Sequence, residues 1–270
     1  MIIDNHTHIY NEKTYQEYFE KTKDKVSKAL VMGYFNDELP YGDPKNYYFE
    51  KVLEFVEQKE NLFMAGSINM EKDIGRQVKN LEKFFQEKKI YGIKLYPGYQ
   101  YFYSSDEKIG LIAELCQKYD KPLIFHTGDV YNLEGDAILK YSHPIYIDEL
   151  AVKFPKCRIV ISHFGFPYLL EAANVVSKNE NVFVDISGTL DKSETDGEDR
   201  KMMEQYTKDL QRVLNYFPNI KSKIMFGTDF AGNHTTLSLV EPYISVVKNT
   251  FSKDEQEKVF HSLAEKVYGV

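Results

Sequence analysis

Short apolar runs rich in β-branched residues alternate with longer amphipathic stretches along this chain, and that alternation narrows the fold more than any other feature. The runs are Met1–Ile9, Ala29–Tyr34, Leu62–Asn69, Tyr91–Tyr96, Pro122–Thr127, Arg158–His163, Val182–Ser187 and Lys223–Asp229. Most are apolar throughout, the pattern of strands buried on both faces of a parallel sheet. Between them Ile74, Val78, Leu81 and Phe85 keep helical spacing, as do Ile109, Ile112, Cys116 and Tyr119, so helices are predicted there. Eight strands in strict βα order predict an α/β fold, a closed (β/α)8 TIM barrel of parallel strands. An open doubly wound sheet is the alternative that the same pattern allows. A last amphipathic segment, Asp254 to Tyr268, carries Val259, Leu263 and Val267 on one face. It is predicted to be an extra C-terminal helix packed on the outside.

The chain has 270 residues, and such barrels reach about 250 residues as one unit. With no fixed-period repeat, low-complexity tract or Pro/Gly/Ser linker, residues 1–270 are read as a single domain. The cysteines are two, Cys116 and Cys157. They make no disulfide framework, are read as inert buried thiols, and fit a reducing compartment. A net charge of −7 without a Lys/Arg block argues against a nucleic-acid partner. No apolar run approaches the ~18 residues of a membrane span, and the start MIIDNHTH lacks the marks of a signal peptide. The expectation is a soluble, cytoplasmic protein acting on a small molecule, with no nucleic acid and no membrane partner, and with a homo-oligomer left open.

In a barrel of this kind chemistry gathers at the C-terminal ends of the strands. Of the 7 histidines, His6, His8, His126 and His163 fall at predicted strand ends, and so do Lys94 and Asp229. Residues two apart on a strand share a face, so His6 and His8 aim together into the barrel mouth, where neutral imidazoles suit zinc or a similar divalent cation. Asp4 has the same parity and is expected to orient a liganding histidine from below. Taken alone, the His-x-His pair reads equally well as two core histidines satisfied by hydrogen bonds. The joint arrangement shifts the balance: His126 follows PLIF, His163 follows RIVIS and Asp229 ends KIMFGTD. Each is a polar group ending an apolar strand, where burial without a partner is costly, and one metal centre satisfies them together.

The segments IIDNHTHI, GIKLYP, IFHTGD, ISHFG and FGTDF, in this order, resemble the amidohydrolase superfamily. The likeness is to its amidohydrolase-related branch, which includes aminocarboxymuconate semialdehyde decarboxylase, resorcylate decarboxylases and several lactone or C–C bond hydrolases. FHSLAEKVYG is similar to the family's closing helix, with His261 where asparagine is common. The resemblance implies a divalent metal, zinc by expectation, held by His6, His8, His126 and Asp229. It implies His163 as an acid/base or water-orienting residue and Asp229 as the group that takes a proton from metal-activated water. The activity it implies is a metal-dependent hydrolase acting on a small carboxylate, lactone or amide. The alternative is a metal-dependent non-oxidative decarboxylase of an aromatic or unsaturated acid. A catalytically silent metal-binding barrel is a further alternative, disfavoured because His163 and Asp229 exceed what a closed structural site needs.

Lys94 has several readings. In two-metal members of the superfamily the fourth strand supplies a carbamylated lysine that bridges the ions, and His126 and His163 would then hold the second metal. Otherwise Lys94 is an ammonium paired with a carboxylate or with substrate. One ion is favoured over two, because one-metal members dominate the branch resembled. In the loop YPGYQYFYSSD, Tyr96 and Tyr99 are candidate substrate-binding residues, with Tyr101 and Tyr103 nearby; the same tyrosines can simply cover the rim. The loop FNDELPYGDPKNYY is read as another wall, and Arg200 as the arginine near a βα loop, so no arginine clamp on phosphate is expected. His234 is read as a surface imidazole or a substrate contact, His143 before Pro144 as a cap, and ETDGEDR as a solvated loop.

Overall fold

Every apolar run contributes a strand, and the strands lie side by side in sequence order. The structure, a computed structural model, describes residues 1–22, 25–35, 49–130, 136–190, 196–231 and 240–270. The strands are β1 (Ile2–Thr7), β2 (Val26–Met32), β3 (Leu62–Ser67), β4 (Ile93–Leu95), β5 (Leu123–Phe125), β6 (Ile159–Ile161), β7 (Val182–Asp185) and β8 (Ile224–Met225). The helices are α1 (Glu12–Thr22), α2 (Phe49–Glu57), α3 (Ile74–Gln86), α4 (Gly110–Tyr119), α5 (Ile147–Lys153), α6 (Leu169–Lys178), α7 (Asp196–Tyr216), α8 (Val240–Thr250), α9 (Lys253–Glu257) and α10 (Leu263–Tyr268). All neighbouring strands from β1 to β8 pair in parallel. Asn5 N donates to Phe226 O at 3.1 Å and Asp229 N to His6 O at 2.8 Å. With the Thr7–Phe230 bridge, these bonds bring the chain after β8 back to β1 and complete a TIM barrel.

Local chemistry explains the helices. α3 starts where the Asp73 side chain accepts from Arg76 N at 3.0 Å, satisfying one of the amides that a helix start leaves unpaired. Its Leu81 and Phe85 are buried against the barrel. α4 buries Ile112 and Cys116 and stops at Asp120, whose φ is 52°. Among the described residues no helix is long and apolar enough to cross a membrane.

The strands divide their residues cleanly. Ala29, Val31, Leu62, Met64, Leu123, Phe125, Ile159, Ile161, Val182, Val184 and Ile224 pack outward with the helices. Ile3, Leu30, Met32, Phe63, Ala65, Ile124, Val160, Met225 and the half-buried Phe183 face inward. Leu263, Ala264, Val267 and Tyr268 of α10 join this inner set. The expectation of a C-terminal helix on the outside therefore holds for Val259, which packs with the outer layer, and fails for α10. An apolar barrel interior needs a lid against water, and α10 supplies it. The Tyr268 ring is fully buried, its centroid 6.1 Å from that of Phe63. Lys121 Nζ and Arg158 Nη1 fasten the helix through Tyr268 O (2.6 Å) and Lys266 O (3.0 Å).

One smaller expectation changes. Residues 196–200 of ETDGEDR open α7 instead of forming a loop. Apart from Phe35, the FNDELPYGDPKNYY loop lies outside the described residues, as does His234. His143 does cap a short helical turn, its Nδ1 accepting from Ile145 N at 3.3 Å. Both cysteines are free and buried.

Candidate active site

The inward alternation of the barrel carries straight into the site. Beyond Ile124 comes His126; beyond Phe183 come Asp185 and Ser187; beyond Met225 comes Asp229. Lys94 holds the inward position of β4, between outward Ile93 and Leu95. β1 departs from the alternation. Its register against β2 is irregular between Asp4 and Thr7, and a one-residue slip reverses facing. Asp4 consequently turns to Tyr18 of α1 and to Thr228 beyond β8, whose Oη and Oγ1 each donate to it at 2.6 Å. The amides of His6 and Thr228 donate at 3.1 Å. Asp4 therefore orients no histidine ring, contrary to its sequence parity; it ties β1 to the chain leading into Asp229. Burial raises its carboxyl to about 7, against these hydrogen bonds.

Two site residues sit in backbone conformations that side chains seldom adopt. His163 has φ 61°, followed by Phe164 at 48° and Gly165 at 65°; Asp229 has φ 66°. This left-handed turn swings His163 into the mouth although strand parity points it outward. Such strain persists where surrounding bonds over-determine it. Here His163 N donates to Asp185 Oδ1 at 3.0 Å.

His6 Nε2 and His8 Nε2 lie 3.2 and 3.1 Å from Asp229 Oδ1. His8 Nδ1 meets the Tyr10 hydroxyl at 2.5 Å, and that hydroxyl donates to Met32 O at 3.2 Å, so His8 offers Nε2 as a lone pair. His126 Nε2 donates to Asp129 O at 2.9 Å, because a carbonyl can only accept. Its bare Nδ1 then faces His163 Nε2 at 3.1 Å. His126 is not among the atoms that converge on Asp229 Oδ1; it meets His163. Lys94 Nζ donates to Ser162 Oγ at 2.6 Å and stands 3.5 Å from His6 Nε2.

The protonation states match this geometry. Burial, then the Lys94 charge, lowers His6. Burial, then His163 and Lys94, holds His126 well below its ordinary value. Burial lowers His163 to about 3, against the pull of Asp229. For Asp229 burial acts upward, yet His6, His163 and His8 hold it below the usual carboxylate range. Burial pulls Lys94 down to about 8, opposed by Asp185 and Asp229. Neutral imidazoles around an ionised carboxylate are the donor set a divalent cation requires. Gly188, at φ 69°, backs this cradle: a Cβ there would lie 2.4 Å from His163 Nδ1 and 3.1 Å from Asp229 Oδ2. His6, His8 and Asp229 can thus hold an ion; His6, His163 and Asp185 also cluster, on the Nδ1 side of the His6 ring.

The tyrosines separate into two groups. Tyr96 and Tyr99 flank His126, with ring centroids 6.4 and 5.0 Å away. Tyr96 Oη is spent on Gly33 O at 2.7 Å, so Tyr96 presents its ring. Tyr101 and Tyr103 pack on Tyr141 at the rim. Arg200 pairs with Glu204 in the exposed part of α7 and clamps nothing.

Sequence reasoning missed Asp185, Ser187 and Ser162. Asp185 ends VFVD with the parity of Phe183, the same signal that picked out His126 and Asp229. Tyr34 was missed too, whereas Phe35 opens the loop read as a wall; their rings lie 5.3 and 5.4 Å from that of Tyr96.

A family model described as amidohydrolase matches residues 3–270. The chain belongs to the amidohydrolase family. A search of curated proteins returns no significant match. Among solved structures, this amidohydrolase-family chain is similar to a probable 2-pyrone-4,6-dicarboxylic acid hydrolase from Acinetobacter baumannii, at 13% identity over 100% of this chain and 99% of that one, with a TM-score of 0.65. It is similar to an amidohydrolase from Burkholderia multivorans with bound zinc, at 11% identity over 100% and 99%, TM-score 0.69. A third likeness is to 2,6-dihydroxybenzoate decarboxylase from Rhizobium, at 11% identity over 99% and 98%, TM-score 0.63. At these identities the likenesses establish the barrel, and the activities are those proteins' own.

Proposed function

We propose that this chain is a metal-dependent hydrolase of a small carboxylate, lactone or amide, acting as a single domain with one divalent ion, zinc, held by His6, His8, His126 and Asp229. The observation that carries this reading is the convergence of His6 Nε2 and His8 Nε2 on Asp229 Oδ1 at 3.2 and 3.1 Å. A bound ion supplies Lewis acidity that makes water a nucleophile near neutral pH and polarises a carbonyl. The remaining work falls to the chain. Asp229, kept ionised, accepts the proton that water gives up. His163, kept neutral, offers Nε2 to orient water or substrate beside His126. Lys94 carries the ammonium of the mouth and takes a substrate carboxylate once Ser162 yields. Tyr96 and Tyr99 hold the rest of the substrate against His126.

The zinc in the Burkholderia structure and the likeness to the probable hydrolase from Acinetobacter support this assignment. Two free buried thiols support a cytoplasmic setting, and the substrate proposed is a small molecule. A second reading, decarboxylation of an aromatic or unsaturated acid, is favoured by the rings of Tyr34, Phe35, Tyr96 and Tyr99 beside the metal ligands. The likeness to a decarboxylase supports it too. Turnover of a panel of lactones, amides and aromatic acids in ¹⁸O-water tests both. Label in the product supports the hydrolase, and CO₂ release without label selects the second reading. No turnover by zinc-loaded protein across the panel would remove both.

A further inference from the structure

We propose that Asp185 and Ser187 together lock His6 and His163 in the tautomer with hydrogen on Nδ1, so that both rings present a bare Nε2 to the barrel mouth. The proposal rests on the metal-dependent reading above, since bare nitrogens are what an ion needs.

The argument is a count of hydrogens. Ser187 Oγ lies 3.0 Å from His6 Nδ1 and 3.0 Å from His163 Nδ1, and it donates to Asp185 Oδ1. A serine hydroxyl has one hydrogen, and an ionised carboxylate has none to give. The serine hydrogen is therefore committed to Asp185, and each imidazole supplies its own hydrogen to the serine lone pairs. His6 Nδ1 is also 3.2 Å from Asp185 Oδ2, a second acceptor that fixes the same tautomer. Asp185 and Ser187 are fully buried, so water offers no alternative partner. The carboxylate itself cannot turn, because Oδ1 accepts from His163 N at 3.0 Å and Ser187 N at 3.1 Å besides the hydroxyl.

The lock has a consequence on the other side of each ring. His163 Nε2 then faces the bare His126 Nδ1 at 3.1 Å, and His6 Nε2 faces Asp229 Oδ1 at 3.2 Å. Opposed lone pairs in a buried site are unfavourable until a positive charge joins them. Asp185 and Ser187 thereby keep two acceptor atoms, His6 Nε2 and His163 Nε2, free for the barrel mouth. Partners of this kind fix ring orientation and ligand basicity, and losing one typically costs about 10–100-fold in metal affinity.

A merely structural Asp185 would pin the His163 backbone and nothing more, and Asp185→Asn separates the two roles. The three donors on Oδ1 hold the amide carbonyl in that place, so the backbone pins survive. The amide NH₂ then confronts His6 Nδ1 with a donor, and His6 must move its hydrogen to Nε2. Long-range ¹H–¹⁵N spectra of the metal-free protein read the tautomers directly, with zinc affinity measured by chelator competition. The expected result is Nδ1–H for His6 and His163 in the natural protein. In Asp185→Asn, His6 changes to Nε2–H and the zinc Kd rises by about 10–100-fold. Ser187→Ala should release the His163 tautomer while His6, still held by Asp185 Oδ2, keeps its hydrogen on Nδ1. Hydrogen on Nε2 of His6 or His163 in the natural protein, or an unchanged His6 in Asp185→Asn, overturns the proposal. The natural spectrum alone can do so if the variant fails to fold. Protein that binds no zinc would refute the metal-dependent reading instead, while the metal-free spectra still judge the lock.

Discussion

Replacing Gly188 by alanine tests the site geometry with a single methyl group. Gly188 has φ 69°, and its ideal Cβ would sit 2.4 Å from His163 Nδ1, where ordinary contact begins at 3.4 Å. The ring must therefore retreat by 3.4 − 2.4 = 1.0 Å. It cannot do so freely: Nδ1 is held at 3.0 Å by Ser187 Oγ, and on the far side of the ring Nε2 already abuts His126 Nδ1 at 3.1 Å. The same methyl would stand 3.1 Å from Asp229 Oδ2. A misplacement of about 1 Å in a reacting group costs about 10²-fold in rate, or roughly 2.7 kcal/mol of barrier. A left-handed alanine adds about 1–2 kcal/mol of strain to the folded state, and at about 2–4 °C per kcal/mol that lowers Tm by roughly 2–8 °C. Gly188→Ala should thus fold, keep its zinc through His6 and His8, and lose about 10²-fold in kcat/KM. Kinetics, metal analysis and thermal melting on one preparation give all three quantities. A folded variant with near-normal kcat/KM would show that His163 needs no fixed position, and the role assigned to it would fall.

Asp229→Asn keeps the size and one ligand oxygen but removes the base; hydrolysis should fall by about 10²-fold or more with most zinc retained, measured as turnover against metal content. Stripping the ion with a chelator should lower Tm, since an ion present at 100 times its Kd stabilises by about 2.7 kcal/mol; a melt unchanged by chelator and by added zinc would count against the site. Tyr268→Ala opens the floor of the barrel at a cost of about 3–5 kcal/mol, on the order of 10 °C in Tm, with zinc stoichiometry unchanged at low temperature. Calorimetry of that variant with and without zinc separates the floor from the mouth.

Several features could be read from the chain because their causes are local. Eight strands and the buried faces of α3 and α4 follow from which residues avoid water, and that period is written in neighbouring positions. His6, His8, His126, Lys94 and Asp229 stood out because each interrupts an apolar strand at its end, and all of them face the barrel mouth. The pattern marked Val259, Leu263 and Val267 as a face to be hidden. It did not say that α10 would turn that face into the barrel while Val259 stayed with the outer layer, because amphipathicity specifies burial and not the surface that provides it.

What tertiary structure decided depends on residues far apart in sequence. Asp4 shares the parity of His6, and the register irregularity between Asp4 and Thr7, visible only against β2, sends it to Tyr18 and Thr228 instead. His163 reaches the mouth through a left-handed turn that no periodicity announces. Asp185 carries the same strand-end mark as the histidines, but its partner His6 lies 179 positions away, and only closure of the ring sets the two side by side. The sequence by itself determined which polar groups would be buried at strand ends. The closed barrel decided which of them meet, because hydrogen bonds and lone pairs are satisfied across strands and not along them.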